Sequence, residues 1–223
     1  MHGRARVAKK NLTAIAAAII LFVAAFCILK FIPQEKTSFA YSYDDTAVFC
    51  VRSDEDFAAL ADLSAAGKDF TGKTVLLYSD VTAPPGDVFT TAFNGVFNGN
   101  GFAIKGLGGT LFSSVKGEAR SFYLTDVSVS NKPLITKRVY GLLKDVDVYG
   151  SLSEGSVAEY NYGTIENVAC YVTVNGGYPF VYANSGKIET CFLSGTYEFE
   201  KLTSEEIAGR ATPYVGTIAT LNY

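Results

Sequence analysis

Tryptophan is absent from this chain, histidine occurs once, and no block of lysine or arginine follows the first ten residues. Each scarcity removes a class of chemistry. A net charge of -3 over 223 residues, with no basic stripe, leaves no electrostatic footprint for a phosphate backbone, so nucleic acid is excluded as a partner. His2 lies in the basic leader, so no serine or cysteine further along has an imidazole to activate it. Cysteine is sparse as well. Apart from Cys27 in an apolar run, Cys50, Cys170 and Cys191 make an odd set with no Cys-x-x-Cys pair, which implies neither a zinc site nor a disulfide framework. No cofactor, metal or catalytic residue is called for.

What is present is a globular composition, 48% apolar and 18% charged, behind a long apolar run. Residues 1–11 are a basic leader carrying His2, Arg4, Arg6, Lys9 and Lys10, and residues 12–31 contain one charge, Lys30, near their end. Twenty residues at about 1.5 Å each span about 30 Å, the thickness of a bilayer core, whereas a signal-peptide apolar region is usually about 7 to 15 residues. The run therefore reads as a transmembrane anchor, with the basic end in the cytosol and the rest of the chain outside. Cleavage after Ala25 or Ala40, giving a secreted protein, is the competing reading. Cys27 fits a lipoprotein poorly, because Phe26 precedes it where a small residue is wanted.

Beyond a linker over 32–49, the first periodic segment is "SDEDFAALADLSAAGKDF". Ser53 as N-cap, Asp56 three residues on, Phe57, Leu60, Ala61 and Ser64 on one face, and Gly67 as stop predict a helix within 50–70 that caps a solenoid. "GKTVLLYSDVT", 72–82, reads as one strand.

The rest repeats. "KGEARSFYLTDVSV", "YGLLKDVDVYGSL", "YGTIENVACYVTV" and "SGKIETCFLSGTY" align on Gly117, Gly141, Gly163 and Gly186, which are 24, 22 and 23 residues apart. Within each window apolar residues alternate: Leu143, Val146, Val148 and Leu152; Ile165, Val168, Cys170, Val172 and Val174; Ile188, Cys191 and Leu193. Alternation places these inside and Asp145, Asp147, Asn167, Thr190 and Ser194 outside. Like strands about 23 residues apart without helices between them stack in register only as coils of a parallel β-helix. The expected fold is all-β: a single-stranded right-handed parallel β-helix of about six coils over 71–200, with a C-terminal cap and last strand over 201–223. Gly163 and Gly186 are expected to hold left-handed or tightly turned corners, and Asn161 and Asn184 to stack beside them. Thr203 and Glu206 have capping-box spacing for a short helical turn.

With "GKTVLLYSDV", "FNGVFNGNGFAIKGL" and the Asn-x-Gly-x-Ile-Glu coils in view, the chain resembles bacterial surface proteins with GLUG-type repeats. The resemblance implies a right-handed parallel β-helix on an exported, often anchored, chain, and no catalytic set. Asn98 stands where an Asp is usual in that pattern, and Phe102 where a His is usual.

Two functional readings follow. Outward positions on successive coils carry Tyr123, Tyr149, Tyr171 and Phe192, a surface suited to polysaccharide or to another surface protein. The reading is an interaction or adhesion module, with the membrane as a partner through 12–31. The alternative is a secreted carbohydrate-active lyase or glycosidase, for which Asp145 and Asp147, about 6.6 Å apart by strand rise, are candidate carboxylates and Lys137 and Arg138, at a turn, candidate bases.

Overall fold

The structure is a computed structural model that describes residues 42–176 and 180–195, together with the backbone of two further strands, Tyr197–Glu198 and Ala219–Asn222. Residues 1–41, with the leader and the apolar run, lie outside this set, as does the Thr203 to Glu206 spacing. Among the described residues no helix is long and apolar enough to cross a membrane.

Every strand pairing among the described residues is parallel. One sheet runs β1 (Val48–Val51), β2 (Thr74–Leu77), β4 (Val96–Lys105), β5 (Glu118–Ser130), β7 (Leu142–Ser153), β9 (Thr164–Asn175) and β11 (Lys187–Glu189). The short β3 (Val81–Thr82) joins β4, while β12 (Phe192–Ser194) and β13 (Tyr197–Glu198) join β9. A second sheet takes β6 (Pro133–Val139), β8 (Ser156–Asn161), β10 (Val181–Asn184) and β14 (Ala219–Asn222). The chain thus winds as a parallel β-solenoid of about six turns. The register matches the repeat: Leu142 lies opposite Thr164 and Thr164 opposite Lys187, each one residue past an aligned glycine.

The second sheet has no counterpart in the sequence reading, which placed Lys137 and Arg138 at a turn; they lie on β6. The segment 72–82 is likewise two strands, β2 and β3, rather than one. A helix does form within 50–70. In α1 (Asp54–Ala65) the Asp56 N–H donates to the Ser53 hydroxyl oxygen at 3.2 Å, and Gly67 ends the helix at φ +86°. Phe57, Leu60 and Ser64 are buried, and α1 packs against β1 and β3.

The interior is a column of aligned side chains. Val146, Val148, Val168, Cys170 and Val172 are buried, as alternation requires. Cys191 and Leu193 belong to the same inward set but are only half-buried, packed on one side against the core. All three described cysteines are free thiols.

The corners differ from expectation in an instructive way. Neither Gly163 nor Gly186 has a left-handed backbone; glycine is needed there because a Cβ would strike the carbonyl of the glycine one coil earlier. Gly117, Gly141, Gly163 and Gly186 each stack in this manner on the glycine before, in a column that begins at Gly95. Left-handed angles occur instead at Ser121 (φ +59°), Asp145 (φ +53°), Asn167 (φ +51°) and Thr190 (φ +52°), the last three of which alternation reads as ordinary outward strand positions. They bend each long strand, so that one strand serves two faces of the coil. Asn161 and Asn184 do form the expected ladder: the Asn161 side-chain N–H donates to the Asn184 side-chain oxygen at 2.7 Å, with both residues buried. Asn161 also accepts from the Gly163 N–H at 3.2 Å, so the ladder ties the second sheet to the glycine corner.

Candidate functional site

The bend at Ser121, Asp145, Asn167 and Thr190 separates two exterior faces of unlike chemistry. Before the bend, Glu118 pairs with Arg120 at 2.7 Å, Lys144 with Glu166 at 2.9 Å and Lys187 with Glu189 at 2.8 Å. This face neutralises itself. Exposed pairs of this sort contribute little to stability but oppose edge-to-edge sticking.

After the bend lie the aromatics. Tyr123 is paired with Asp147, Asp147 with Ala169 and Ala169 with Phe192, while Tyr149 pairs with Tyr171 and Tyr171 with Ser194. The four aromatic residues therefore occupy two adjacent outward columns. Tyr123 is 41% exposed, Tyr149 41%, Tyr171 43% and Phe192 52%, among the most exposed large apolar side chains of the described residues. The Tyr149 and Tyr171 rings are stacked, with centroids 5.0 Å apart and planes 7° from parallel. Phe192 tilts 51° from Tyr171 at 5.7 Å.

Stacking decides what this face can offer. Coils about 4.8 Å apart hold the tyrosine rings face to face, so the inner faces are covered and edges and hydroxyls point outward. Partial burial, then the nearby Asp147 carboxylate, pushes the Tyr149 phenol above its ordinary value. The tilted Phe192 ring opens at the end of the strip. A depression lined by Ser121, Tyr123, Asp145, Asp147 and Asn167 lies at the other end of the strip, beside Tyr123.

Asp145 is engaged where it stands, accepting from the Asn167 side chain at 2.7 Å. Lys137 and Arg138 are exposed on β6, on the other sheet from Asp145 and Asp147, and the Arg138 guanidinium lies over the Tyr160 ring at 5.8 Å. Burial raises the Cys170 thiol well above its ordinary value and raises that of Cys191, so both stay protonated and weakly nucleophilic. Among the described residues no group of three or more His, Cys, Asp or Glu side chains is placed to hold a metal ion.

A second aromatic cluster escaped the sequence reading. Tyr140 and Tyr162 immediately precede the stacked glycines, are each 48% exposed, and stack at 5.3 Å with planes 14° apart. Tyr160 continues the group at 6.3 Å from Tyr162, and Tyr182 meets Tyr160 edge-on at 5.8 Å. The signal for it is the Tyr-Gly pair that opens two of the aligned windows, Tyr140-Gly141 and Tyr162-Gly163. Beside this cluster an open trough runs along the stacked Gly95, Gly117 and Gly141. No family model, curated protein or solved structure gives a significant match to this chain.

Proposed function

We propose that the chain is an exported, membrane-anchored β-helical surface module for interaction or adhesion, of the kind represented by GLUG-type repeat proteins, with right-handed coils and α1 as the cap of the first one. The observation that carries the reading is the strip of Tyr123, Tyr149, Tyr171 and Phe192, exposed on successive coils of one sheet face. A strip with a repeat of about 4.8 Å suits an extended polymer lying along the solenoid axis, touching ring edges and hydroxyls, better than a small molecule that needs enclosure. The anchor is assigned to residues 12–31 from their length and hydropathy, and the exterior location of the module follows from the basic leader. Secretion after cleavage is the other outcome for that segment.

A carbohydrate-active enzyme is the second reading, favoured by one feature: Asp145 and Asp147 line the same depression as Tyr123. The two readings separate on one experiment. The purified full chain is titrated against a panel of extended polysaccharides beside a variant with alanine at Tyr123, Tyr149, Tyr171 and Phe192, and beside Asp145→Asn. The binding module predicts weak, length-dependent binding that the quadruple variant loses and Asp145→Asn keeps, with no polymer cleavage. Undiminished binding by the quadruple variant, or no binding by the parent, sinks the aromatic-strip idea. Cleavage lost in Asp145→Asn assigns the enzyme. Fractionation of cells expressing the full chain tests the anchor separately.

A further inference from the structure

The parallel register does more than align an interior. It holds two exposed phenol pairs in fixed stacks across neighbouring coils: Tyr140 with Tyr162 at 5.3 Å and Tyr149 with Tyr171 at 5.0 Å between ring centroids. Both partners of each pair sit on backbone that is pinned on either side. The Tyr162 N–H donates to the Val139 carbonyl at 2.8 Å and the Thr164 N–H to the Gly141 carbonyl at 2.9 Å. Tyr149 and Tyr171 lie inside an unbroken register between β7 and β9. The phenols therefore cannot diffuse apart, yet their exposure leaves the rings free to tilt. No disulfide joins the coils among the described residues, since Cys50, Cys170 and Cys191 are free.

We propose that these two pairs are oxidative cross-linking sites, each closing a carbon–carbon bond between tyrosine rings on adjacent coils when a one-electron oxidant, such as a heme peroxidase supplied with hydrogen peroxide, reaches the surface. Each phenol gives up one electron and one proton and becomes a phenoxyl radical with spin on its oxygen and on the ring carbons ortho to it. One ortho carbon of each ring, Cε1 or Cε2, joins the other. The hydrogen on each joined carbon then moves to the phenoxyl oxygen as aromaticity returns. One hydrogen peroxide accepts both electrons and both protons and leaves as two waters, so the product is lighter than the starting chain by two hydrogen atoms. Near-parallel stacking favours coupling within a pair because each radical has its partner's ortho carbons beside it, whereas Tyr78, exposed and lying under the Arg52 guanidinium, has no tyrosine ring stacked on it among the described residues. The bond would staple one coil to the next. In a solenoid, where each coil is held only by its neighbours, that restrains peeling from the end. This inference does not rest on the binding reading.

The test treats the dilute, purified full chain with a heme peroxidase and limiting hydrogen peroxide, then digests it with trypsin and a glutamyl endopeptidase. Two cross-linked products are expected, 139–144 joined to 160–166 and 145–154 joined to 167–187, each two hydrogens below the summed peptide masses. Tyr140→Phe and Tyr162→Phe, which keep the stacked rings, should each delete the first product and spare the second. Tyr149→Phe and Tyr171→Phe should do the reverse. Oxidised parent should also unfold at a higher temperature than the oxidised Tyr140→Phe, Tyr149→Phe double variant. Dityrosine found only in intermolecular dimers, a product that survives its phenylalanine variant, or equal yields from urea-unfolded chain would each overturn the assignment.

Discussion

At Gly141 the position a Cβ would take is already filled by the carbonyl of Gly117, and at Gly163 by that of Gly141. The obstruction is backbone that is itself hydrogen-bonded, since the Leu142 N–H donates to the Gly117 carbonyl at 3.0 Å, so it cannot step aside without breaking the ladder. Gly141→Ala and Gly163→Ala are therefore expected to lower stability by about 2 to 3 kcal/mol or more, read as a fall in urea midpoint. Asn167 poses a different demand. Its backbone is left-handed and its side chain donates to Asp145. A non-glycine residue without a local hydrogen bond costs about 1–2 kcal/mol in that conformation. Asn167→Ala should destabilise by about that much, and Asn167→Gly by clearly less, although it removes the same hydrogen bond. Equal losses for the two variants would mean the side-chain contact, and not the backbone angle, is what Asn167 supplies. The bend was legible in the sequence in a form that strict alternation hides: the inward residues step by three at Ala119 to Phe122, Leu143 to Val146, Ile165 to Val168 and Ile188 to Cys191, and by two directly afterwards, to Leu124, Val148, Cys170 and Leu193. The extra residue in each step lies within the bend that Ser121, Asp145, Asn167 and Thr190 make.

Among elements, the long strands β5, β7 and β9 were readable because they bury one side and expose the other. The second sheet was not. Pro133, Leu134, Ile135 and Thr136 are buried in succession on β6, and Ser156, Val157 and Ala158 on β8, so period two is lost where the chain turns close against the interior. The aromatic strip was found because it lies on alternating strands; the Tyr140 and Tyr162 pair was missed because it lies at a corner. Corners also carry the acid-sensitive contacts. The Lys105 ammonium, helped by the Ala103 N–H, holds the Asp80 carboxyl below the usual carboxylate range. At Asp87 burial pushes upward, but the Thr110 N–H and the Lys132 ammonium outweigh it, and the net direction is again downward. Depressed carboxyls contribute stability that is fully present above the unfolded aspartate value, near pH 4, and is lost as pH falls through the lower folded values. Both groups are largely solvated, so the effect is modest. The urea midpoint should hold from pH 7 to about pH 5 and then decline toward pH 3. A double variant with Asn at Asp80 and Asp87 should start lower and decline less. A decline of the same steepness in that variant would assign the acid sensitivity to other carboxyls.

At the scale of the whole molecule, the core is unlike at its two ends. Phe49, Phe70, Phe89, Phe93, Phe97, Phe112 and Phe122 form one connected set of ring contacts, with Phe89 stacked on Phe112 at 4.9 Å and Phe97 edge-on to Phe122 at 5.4 Å. Later coils fill the same column with Val146, Val148, Val168, Cys170 and Val172, and Ile188 and Leu193 are only half-buried against it. Because each coil contacts chiefly its neighbours, such a gradient in side-chain volume becomes a gradient in local stability. Amide hydrogen exchange is therefore expected to be slowest in β2, β4 and β5, intermediate in β7 and β9, and fastest in β11 and β12. Two substitutions separate this from uniform cooperativity. Phe89→Ala removes a ring from the centre of the set and should cost about 3–5 kcal/mol, lowering protection through the early coils and every coil stacked on them. Ile188→Ala should cost less and speed exchange only in β11 and β12, leaving β4 and β5 unchanged. If Ile188→Ala instead lowered protection equally in β4, the solenoid would unfold as one unit and the phenylalanine set would not be the region from which its order spreads.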